Sequence, residues 1–477
     1  MFKQISLLLI FINSLVCFSQ GRNAKSGLSI DIKESSIFKT DIPNHLFDII
    51  LGRPTFNQIT LSILANQEME GFINYGLNEK ELRFKSKTLQ FHKGAVSFIE
   101  LMNLKPNSKY HYQLVYRLIG NDNFVFGEIN YFQTARNLNG DFTFTIQADS
   151  HLDENTSTEM YVKTLNNMKD DHPDFMIDLG DTWMTDKYRN DYKDSYQQYI
   201  AQRYYFGILG NTASVFLTLG NHDGESGQHL GKPDSQNMTN WATQTRRDFY
   251  PNPFPNNFYS GNVNKQKDKD FIENYYSWQW GDALFIVLDP FRFTNDNKSP
   301  WLRTLGSDQY IWLKKTLEGS KAKFKFVFIH NLVGGADKKG IARGGIEAAK
   351  YFEWGGLDIN DINKFKTYRP DWELPIHDLL IANKVDIVFH GHDHFFAKQD
   401  LDGMVYQLLP QPGALRYGNI NSAAEYGYQQ GKILNHPGYL RVSIKNDFAI
   451  IEDIQTSINN QYPNKEILYS YKINGVN

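Results

Sequence analysis

The sequence predicts two domains of different fold class, an all-β sandwich followed by a larger α/β domain. Between residues 36 and 137, short runs of alternating polarity are separated by turn residues at the spacing of a β-sandwich. From Asp141 onward, nearly continuous apolar strands alternate with helical segments, as in a sheet that is covered on both faces. Several of these later strands end in Asp, Asn or His, at the edge where α/β proteins place their sites.

Length and composition are those of a soluble globular protein. The chain has 477 residues, of which 41 % are hydrophobic and 22 % are charged, and this length allows two or three domains. The formal net charge of −3 is too small to favour binding to nucleic acid or to an anionic membrane surface, and there is no long basic run. We therefore expect a small-molecule partner and find no nucleic-acid-binding signature.

Residues 1–19 have the pattern of a secretory signal peptide, and residues 20–35 that of a polar linker. Lys3 gives a positive start, and the segment from Ile5 to Phe18 is almost wholly apolar. A membrane anchor is the alternative, but about 14 apolar residues fall short of the ~20 that span a bilayer. The sequence thus predicts cleavage before Gln20, a secreted or periplasmic protein and no transmembrane segment.

Cys17 is the only cysteine. Lipid attachment at Cys17 is a weaker alternative, because the preceding residue is Val16 rather than the usual small residue. If the leader is removed, the mature chain has no cysteine. Disulfides and thiolate-bound metals are then excluded, so any metal ion would be held by nitrogen and oxygen ligands.

The first domain is predicted to span residues 36–137. Its strands are expected at Gln58–Leu64, Gly71–Tyr75, Val96–Leu101, Tyr110–Tyr116 and Phe124–Phe132. The stretch from Leu104 through Pro106 to Tyr110 resembles a motif of fibronectin type III domains, in which the tyrosine hydroxyl ties a corner between the two sheets. This domain has no side chains typical of an active site, which favours a packing or recognition role.

The second domain is predicted to span residues 138–477. Strands are expected at Phe142–Gln147, Phe175–Leu179, Val215–Leu219, Leu284–Leu288, Phe324–Ile329 and Val385–Phe389, and helices at Ser157–Met168 and Ser307–Leu317. Thr156 and Glu159 are spaced for a capping box at the first helix. The run from Gly438 to Tyr471 is expected to add antiparallel strands to the second sheet.

Polar residues follow five of these strands in a fixed order. They are Asp149 and His151, then Asp181, then Asn221 and His222, then His330, and finally His392 and His394. One such residue at a strand end is usually a turn or cap residue, but five polar endings in succession exceed that explanation. Imidazole and carboxylate are common metal ligands, so the pattern predicts a metal site at the strand ends.

This ordered set of motifs resembles that of the calcineurin-like metallophosphoesterase superfamily. The resemblance implies a four-layer α/β/β/α sandwich, two metal ions, and in-line attack on a phosphate ester by a hydroxide that bridges the metals. Carried over by motif, the ligands of one metal would be Asp149, His151 and His394, and those of the other Asn221, His330 and His392. Asp181 would bridge the two ions, which we expect to be Mn, Fe or Zn.

The resemblance also gives His222 a catalytic role. With Asn221 it would bind the substrate phosphate, and it would protonate the leaving oxygen as a general acid. Asp223 either orients the His222 ring or is an ordinary loop carboxylate. His390 has no role in the family and is expected to be a core or supporting histidine rather than a ligand.

A sandwich in front of such a domain resembles the purple acid phosphatases. Two residues differ from that pattern, because Met184 replaces the tyrosine ligand and a histidine stands at position 151. We therefore expect a metal pair without a phenolate. Trp183 is a candidate pocket wall.

Two long insertions, residues 224–269 and 332–367, are expected to shape the pocket. Within the second, Lys338, Lys339 and Arg343 would either contact substrate anions or lie on a solvated loop.

The function predicted from the sequence is that of an exported phosphomonoesterase. A phosphodiesterase is the first alternative, because the same metal core serves both reactions. The second alternative, from another class, is a non-catalytic protein whose sandwich domain binds a glycan. The complete ligand set favours the enzyme.

Overall fold

The computed structural model describes residues 38–188, 191–266, 270–295, 299–333, 343–418, 420 and 422–475. The predicted leader, Cys17, the predicted linker and the lysines at 338 and 339 lie outside the described residues. In the part of the chain that is described, every helix is too short or too polar to cross a bilayer.

The first domain is a sandwich of two antiparallel sheets. One sheet has the strand order β1-β2-β6, and the other has the order β4-β3-β7-β8 with β5 paired to β3. The strands are β1 Phe47–Gly52, β2 Gln58–Ala65, β3 Met69–Gly76, β4 Phe84–Lys85, β5 Leu89–Phe91, β6 Val96–Met102, β7 Lys109–Leu118 and β8 Val125–Gln133. The five predicted strands all form, and β1, β4 and β5 are additional.

The core of the sandwich comes from the alternate residues of β2 and β7 that face inward. Ile59, Leu61 and Ile63 on one sheet meet Tyr112 and Leu114 on the other, and all five are buried. Burial of this apolar surface is the main term that stabilises the domain.

Tyr110 has the position and the hydrogen bond that the resemblance to fibronectin type III domains implies. The Tyr110 hydroxyl accepts a hydrogen bond from the backbone N–H of Lys105, at 2.9 Å. Its ring stacks on Phe132 with centroids 5.4 Å apart. A buried tyrosine thus fixes the turn that leads into β7.

The second domain contains two mixed sheets. The first has the order β11-β10-β9-β22-β23-β24, the second has the order β12-β15-β16-β17-β18-β20-β19-β21, and β13 and β14 form a separate ribbon. The strands are β9 Phe142–Gln147, β10 Phe175–Asp178, β11 Ser214–Leu217, β12 Ser260–Gly261, β13 Lys265–Gln266, β14 Asp270–Phe271, β15 Tyr276–Trp280, β16 Ala283–Val287, β17 Phe324–Phe328, β18 Ile387–His390, β19 Phe396–Leu401, β20 Met404–Leu408, β21 Lys432–Leu434, β22 Gly438–Ile444, β23 Phe448–Gln455 and β24 Glu466–Asn474.

Helices cover the outer faces of both sheets. They are α1 Thr158–Lys169, α2 Tyr196–Gly210, α3 Met238–Phe249, α4 Ser307–Gly319, α5 Ile346–Ala349, α6 Phe352–Gly355, α7 Phe365–Tyr368, α8 Ile376–Ala382 and α9 Ser422–Glu425. In the first layer, Leu165 of α1 and Phe206 of α2 pack on the first sheet. In the last layer, Leu313 of α4 and Leu379 of α8 pack on the second sheet.

Aromatic residues fill the space between the two sheets. Phe144 on β9 and Phe285 on β16 come from different sheets and meet edge to face, with ring centroids 5.1 Å apart. Phe285 stacks in turn on Trp278, at 4.9 Å. With helices outside and two sheets inside, the predicted four-layer α/β/β/α sandwich is confirmed.

Two details of the sequence prediction are wrong. The N-cap of α1 is Ser157, whose side chain accepts from the Met160 amide, whereas the Thr156 hydroxyl donates to the Ser150 carbonyl. The C-terminal strands β22 to β24 extend the first sheet rather than the second, because β22 pairs with β9. Neither difference is visible in a local pattern, since both depend on which neighbour a strand or hydroxyl finds in the folded chain.

A buried arginine joins the two domains. Arg203 on α2 is fully buried and donates from Nε to Asp48 Oδ1 of β1, at 2.7 Å. Its Nη2 donates to the Ser62 carbonyl of β2 at 2.9 Å, and its Nη1 contacts the Phe249 carbonyl. The domain boundary near residue 137 stays a prediction, but the sandwich packs on the α/β domain through charge-assisted hydrogen bonds as well as apolar contacts.

We predict that Arg203→Met destabilises the protein by about 3–5 kcal/mol, because it leaves the Asp48 carboxylate buried without its partner. All eight tryptophans lie in the second domain, so tryptophan fluorescence monitors that domain alone during denaturation in urea. Far-UV circular dichroism monitors both domains. If the hydrogen bonds of Arg203 are lost, we expect the circular dichroism transition and the fluorescence transition to occur at different urea concentrations.

Arg83→Met is the matched control, because Arg83 forms an exposed ion pair with Glu81. A surface pair of this kind contributes at most ~1 kcal/mol. Equal effects of the two substitutions on the free energy of unfolding would contradict the role assigned to Arg203.

Candidate metal centre

The polar strand endings from both inner sheets meet at one edge of the domain. β9, β10 and β11 of the first sheet supply Asp149, His151, Asp181, Asn221 and His222, and β17 and β18 of the second sheet supply His330, His392 and His394. The parallel alignment of β9 with β10 and of β17 with β18 brings their carboxyl ends to the same edge. The structure thus gathers all the residues predicted for the site.

One cluster consists of Asp149, His151 and His394. The Oδ1 atom of Asp149 lies 3.4 Å from His394 Nε2 and 3.7 Å from His151 Nε2. One ligand atom from each of the three residues falls within 4.8 Å of the others, which is the spacing of side chains that surround a single cation.

A second cluster consists of Asp181, His330 and His392, with Asn221 beside it. His330 Nε2 lies 3.3 Å from Asp181 Oδ2, 3.3 Å from His392 Nδ1 and 3.1 Å from Asn221 Oδ1. The Nδ1–H of His330 donates to the Leu179 carbonyl at 2.9 Å, so the Nε2 atom faces the cluster. A hydrogen bond on the far side of a ring is how proteins orient a ligand histidine.

Asp181 faces both clusters with the same oxygen. Its Oδ2 atom lies 3.3 Å from His330 Nε2 in one cluster and 3.5 Å from His151 Nε2 in the other. Its Oδ1 atom accepts from the backbone N–H of His222, at 2.8 Å. The bridging role that the family resemblance implies for Asp181 stays a prediction, and this oxygen has the position that such a role requires.

The unsatisfied atoms of the site fit a pair of cations. Asp149 Oδ2 accepts from the His392 amide, yet Asp149 Oδ1 and Asp181 Oδ2 are buried without a hydrogen-bond partner among the described residues. His151 Nε2 is in the same condition. Buried polar atoms are rarely left unpaired, and here they converge on two positions lined by oxygen and nitrogen alone, so the residues present suit two metal ions.

The backbone of the site is held in an uncommon conformation. Five site residues adopt positive φ angles, namely Asp149 at 61°, His151 at 53°, Asp181 at 54°, His392 at 78° and His394 at 65°. Gly391 is required for a different reason, because a Cβ there would lie 2.7 Å from Ala148 Cβ and 2.8 Å from Asp149 Oδ2. Positive φ at non-glycine residues costs about 1–3 kcal/mol each and is typical of functional sites.

The charges of the site also favour bound cations. Burial raises the pKa of Asp149, but His394 and His151 outweigh burial and hold this pKa below its usual range. Burial lowers the pKa of His330, yet the Asp181 carboxylate outweighs it and raises this pKa to about 9. The Asp149 and Asp181 carboxylates thus favour positive charge in the space that they share with the imidazole rings.

His222 stands beside the two clusters and is held by Asp186. Its Nδ1 lies 2.9 Å from Asp186 Oδ1, and its Nε2 faces Asp181 Oδ2 at 3.9 Å. Because the carboxylate accepts the Nδ1–H, the ring presents Nε2 to the site. Sequence reasoning missed Asp186, which follows Asp181 by five residues and reaches His222 only through a 3₁₀ turn at Thr185–Lys187.

Asp223 does not orient His222. Its buried carboxylate accepts four backbone N–H groups, from Asp181, Thr182, Trp183 and Gly220, at 2.6–3.1 Å. It therefore fixes the loop that carries Asp181, so of the two roles considered for Asp223, the loop carboxylate is correct.

The remaining candidates have supporting positions. His390 is buried at the end of β18 and lies outside both clusters, and burial lowers its pKa to about 3. Trp183 is 1 % exposed and stacks on Tyr199 at 4.4 Å, so the expectation that it lines a pocket is wrong.

Arg343 does not lie free on a solvated loop. Its side chain is 28 % exposed and donates to Asp393 Oδ1 at 2.8 Å, while the Tyr428 hydroxyl donates to Asp393 Oδ2 at 2.9 Å. Asp393 lies between His392 and His394, so these contacts anchor the segment that carries both histidines.

Comparison with known proteins agrees with this geometry. Residues 142–396, more than half of the chain, match the calcineurin-like phosphoesterase family. The protein therefore belongs to the calcineurin-like phosphoesterase family. This membership supports the predicted metal-dependent phosphoester hydrolase and implies a dinuclear metal centre.

Individual relatives are distant. Purple acid phosphatase 13 of Arabidopsis thaliana is 23 % identical over 289 residues, which cover 54 % of this chain and 43 % of that protein. The chain thus spans less than half the length of this curated relative. The purple acid phosphatase PPD1 from yellow lupin (Lupinus luteus) seeds has 14 % identity and a TM-score of 0.58, with coverage of 89 % of this chain and 74 % of that one.

The solved structure of PhoD is also similar in fold. It has 13 % identity and a TM-score of 0.63, and the superposition covers 92 % of this chain and 90 % of that one. At these identities the likeness concerns the fold. The predicted family and the predicted arrangement of a β domain before the phosphoesterase domain are both confirmed.

We predict that Asp186→Asn lowers kcat for a phosphate ester by about 10- to 100-fold, less than the 10²–10⁴ that a general acid contributes. The neutral amide holds the Nδ1–H of His222 more weakly than the carboxylate does, and its NH2 group can donate to Nδ1 instead, so Nε2 is oriented less well. The metal content should be unchanged, because Asp186 lies outside both clusters. Steady-state kinetics and metal analysis of the same preparation test both points.

Asp361→Asn is the control, since Asp361 is an exposed carboxylate that pairs with Lys350 and belongs to neither cluster. An Asp186→Asn variant with the kinetics of this control would contradict the role of Asp186. Loss of bound metal from Asp186→Asn would contradict it as well.

Proposed function

We propose that the protein is an exported phosphomonoesterase that uses the two residue clusters to hold two metal ions. The observation that carries this proposal is the single oxygen, Asp181 Oδ2, which faces His151 on one side and His330 on the other. Asp149, His151 and His394 would hold one ion, and Asn221, His330 and His392 the other, with Asp181 shared. Ions of Mn, Fe or Zn suit this mixture of nitrogen and oxygen ligands.

Bound metal ions would polarise the attacking water and neutralise the phosphoryl oxygens. The chain itself supplies the remaining steps. Asn221 and His222 would bind the phosphate, and the Nε2–H of His222 would protonate the ester oxygen as the leaving group departs. Asp186 accepts a hydrogen bond from Nδ1 of that ring at 2.9 Å and so keeps Nε2 turned to the site.

Three features support the finer parts of the proposal. The apolar segment from Ile5 to Phe18 behind Lys3 supports export. The β domain in front of the phosphoesterase domain, as in the purple acid phosphatases that the sequence resembles, supports monoester hydrolysis. Met184 occupies the place of a phenolate ligand, which supports an ordinary divalent pair instead of an iron–tyrosinate centre.

A phosphodiesterase is the second candidate function. The same two clusters would serve it, and the preference between ester classes distinguishes the two candidates.

The experiment compares the wild-type protein with Asp181→Asn, an isosteric change that removes the shared charge. We expect about two ions per wild-type chain and hydrolysis of p-nitrophenyl phosphate in preference to bis-p-nitrophenyl phosphate. Asp181→Asn should lose at least one ion and most of the activity, by ~10³-fold or more, because it removes a ligand of both ions. Elemental analysis and initial rates on both esters provide the readouts.

Asp400→Asn is the control, because Asp400 is an exposed carboxylate on β19 that pairs with Lys398. Preference for the diester would favour the second candidate. A wild-type protein that binds no metal and hydrolyses neither ester after addition of Mn²⁺ or Zn²⁺ would refute both, and the binding-protein alternative would then be favoured.

A further inference from the structure

Two buried glutamines of α2 contact the loops that carry candidate metal ligands. Gln198 and Gln202 are four residues apart, so they lie on the same face of the helix, and both are fully buried. We call residues 149–152, after β9, the first ligand loop and residues 181–184, after β10, the second ligand loop. Neither glutamine has a role in the chemistry described above.

Gln198 joins the two ligand loops with a single amide group. Its Nε2 donates to the carbonyl of His151 at 3.1 Å and to that of Leu152 at 3.3 Å. Its Oε1 accepts the backbone N–H of Met184, at 2.8 Å. The partners, two carbonyls on one side and an N–H on the other, fit this orientation of the amide alone. The end of the first ligand loop is thus held beside the end of the second.

Gln202, one turn further along α2, makes a second connection. Its Nε2 donates to the Ser150 hydroxyl and, at 3.3 Å, to the Thr182 carbonyl. Ser150 stands between the two candidate ligands of the first loop, and Thr182 directly follows Asp181. The two glutamines therefore cross-link the loops at or beside the residues predicted to bind metal.

The spacing of the loops sets the distance between two predicted ligands. His151 Nε2 lies 3.5 Å from Asp181 Oδ2, and these atoms belong to different loops. Both residues have positive φ angles, 53° and 54°, a conformation that persists only where the surrounding structure maintains it. Loss of the glutamine contacts would therefore allow the two ligand atoms to move apart.

The sandwich domain holds α2 in place, which makes this helix a fixed support for the loops. Arg203 follows Gln202 directly and donates to the Asp48 carboxylate of β1, at 2.7 Å. At the end of α2, the Asn211 carbonyl accepts the hydroxyl of Tyr112 on β7, at 2.8 Å. The helix thus connects the sandwich domain to both ligand loops.

We infer that Gln198 and Gln202 are positioning residues, which hold the two ligand loops at the spacing that the metal ions require. This inference rests on the proposed function, and it gives the sandwich domain a role as the support of α2. It predicts that loss of either amide weakens metal binding, whereas loss of an equally buried glutamine elsewhere does not.

The test measures Mn²⁺ binding by the full-length protein with electron paramagnetic resonance, which detects the free ion. Gln198→Met keeps the length of the side chain and removes its hydrogen bonds to both loops. It should raise the Kd for Mn²⁺ by about 10- to 100-fold, the effect of removing a group that orients a metal ligand. Gln202→Met should also raise this Kd, and it decides the test if Gln198→Met does not fold.

Gln309→Met is the matched control. Gln309 of α4 is also fully buried, and its amide makes the same kinds of backbone hydrogen bond. Its Nε2 donates to the carbonyls of Asp289 and Leu305, and its Oε1 accepts the Asp289 N–H. The metal-free forms of Gln198→Met and Gln309→Met should therefore lose similar thermal stability, while Gln309→Met keeps the wild-type Kd for Mn²⁺.

The outcomes separate this inference from the proposed function. An unchanged Kd in a folded α2 variant, or an equal rise of the Kd in Gln309→Met, would overturn the inference and leave the proposed function intact. A wild-type protein that binds no Mn²⁺ and hydrolyses neither nitrophenyl ester would instead refute the proposed function, and the inference with it.

Discussion

The structure of the candidate metal centre depends on one buried carboxylate. Asp181 is 1 % exposed, its Oδ1 is occupied by the His222 amide, and its Oδ2 has imidazoles on both sides. A buried carboxylate with one oxygen left unpaired costs several kcal/mol unless a cation balances its charge. The rest of the site compensates this charge, first with the His151 and His330 rings and, in the proposed enzyme, with two metal ions.

The fold explains how residues so far apart in sequence reach one point. Asp149 and Asp181 come from adjacent parallel strands of the first sheet, and His330 and His392 come from adjacent parallel strands of the second. The aromatic layer between the sheets fixes their separation, with Phe144 and Phe285 in direct contact. Positive φ angles at the strand ends then turn the side chains inward. Each such backbone conformation costs about 1–3 kcal/mol, and the packing of the two sheets maintains it.

Much of this could be predicted from the sequence, because a ligand placed directly after a buried strand leaves a local pattern. The local pattern correctly predicted the strands of both inner sheets that carry the candidate ligands, and it predicted that these ligands come together. The prediction failed for side chains whose hydrogen-bond partner is determined only by the folded chain. Asp186 reaches His222 through a turn without a motif, and Arg203 joins the domains across 155 residues of sequence. The N-cap at Ser157 was missed because two neighbouring hydroxyls were equally suitable by pattern.

The central claim is that two ions share Asp181, and anomalous diffraction from crystals grown with Mn²⁺ tests it most directly. The account predicts two anomalous peaks about 3.5–4 Å apart, one on each side of Asp181 Oδ2. The first peak should be bound by Asp149, His151 and His394, and the second by Asn221, His330 and His392. A map with no peak at this edge, or with one ion that Asp181 does not contact, would contradict the account.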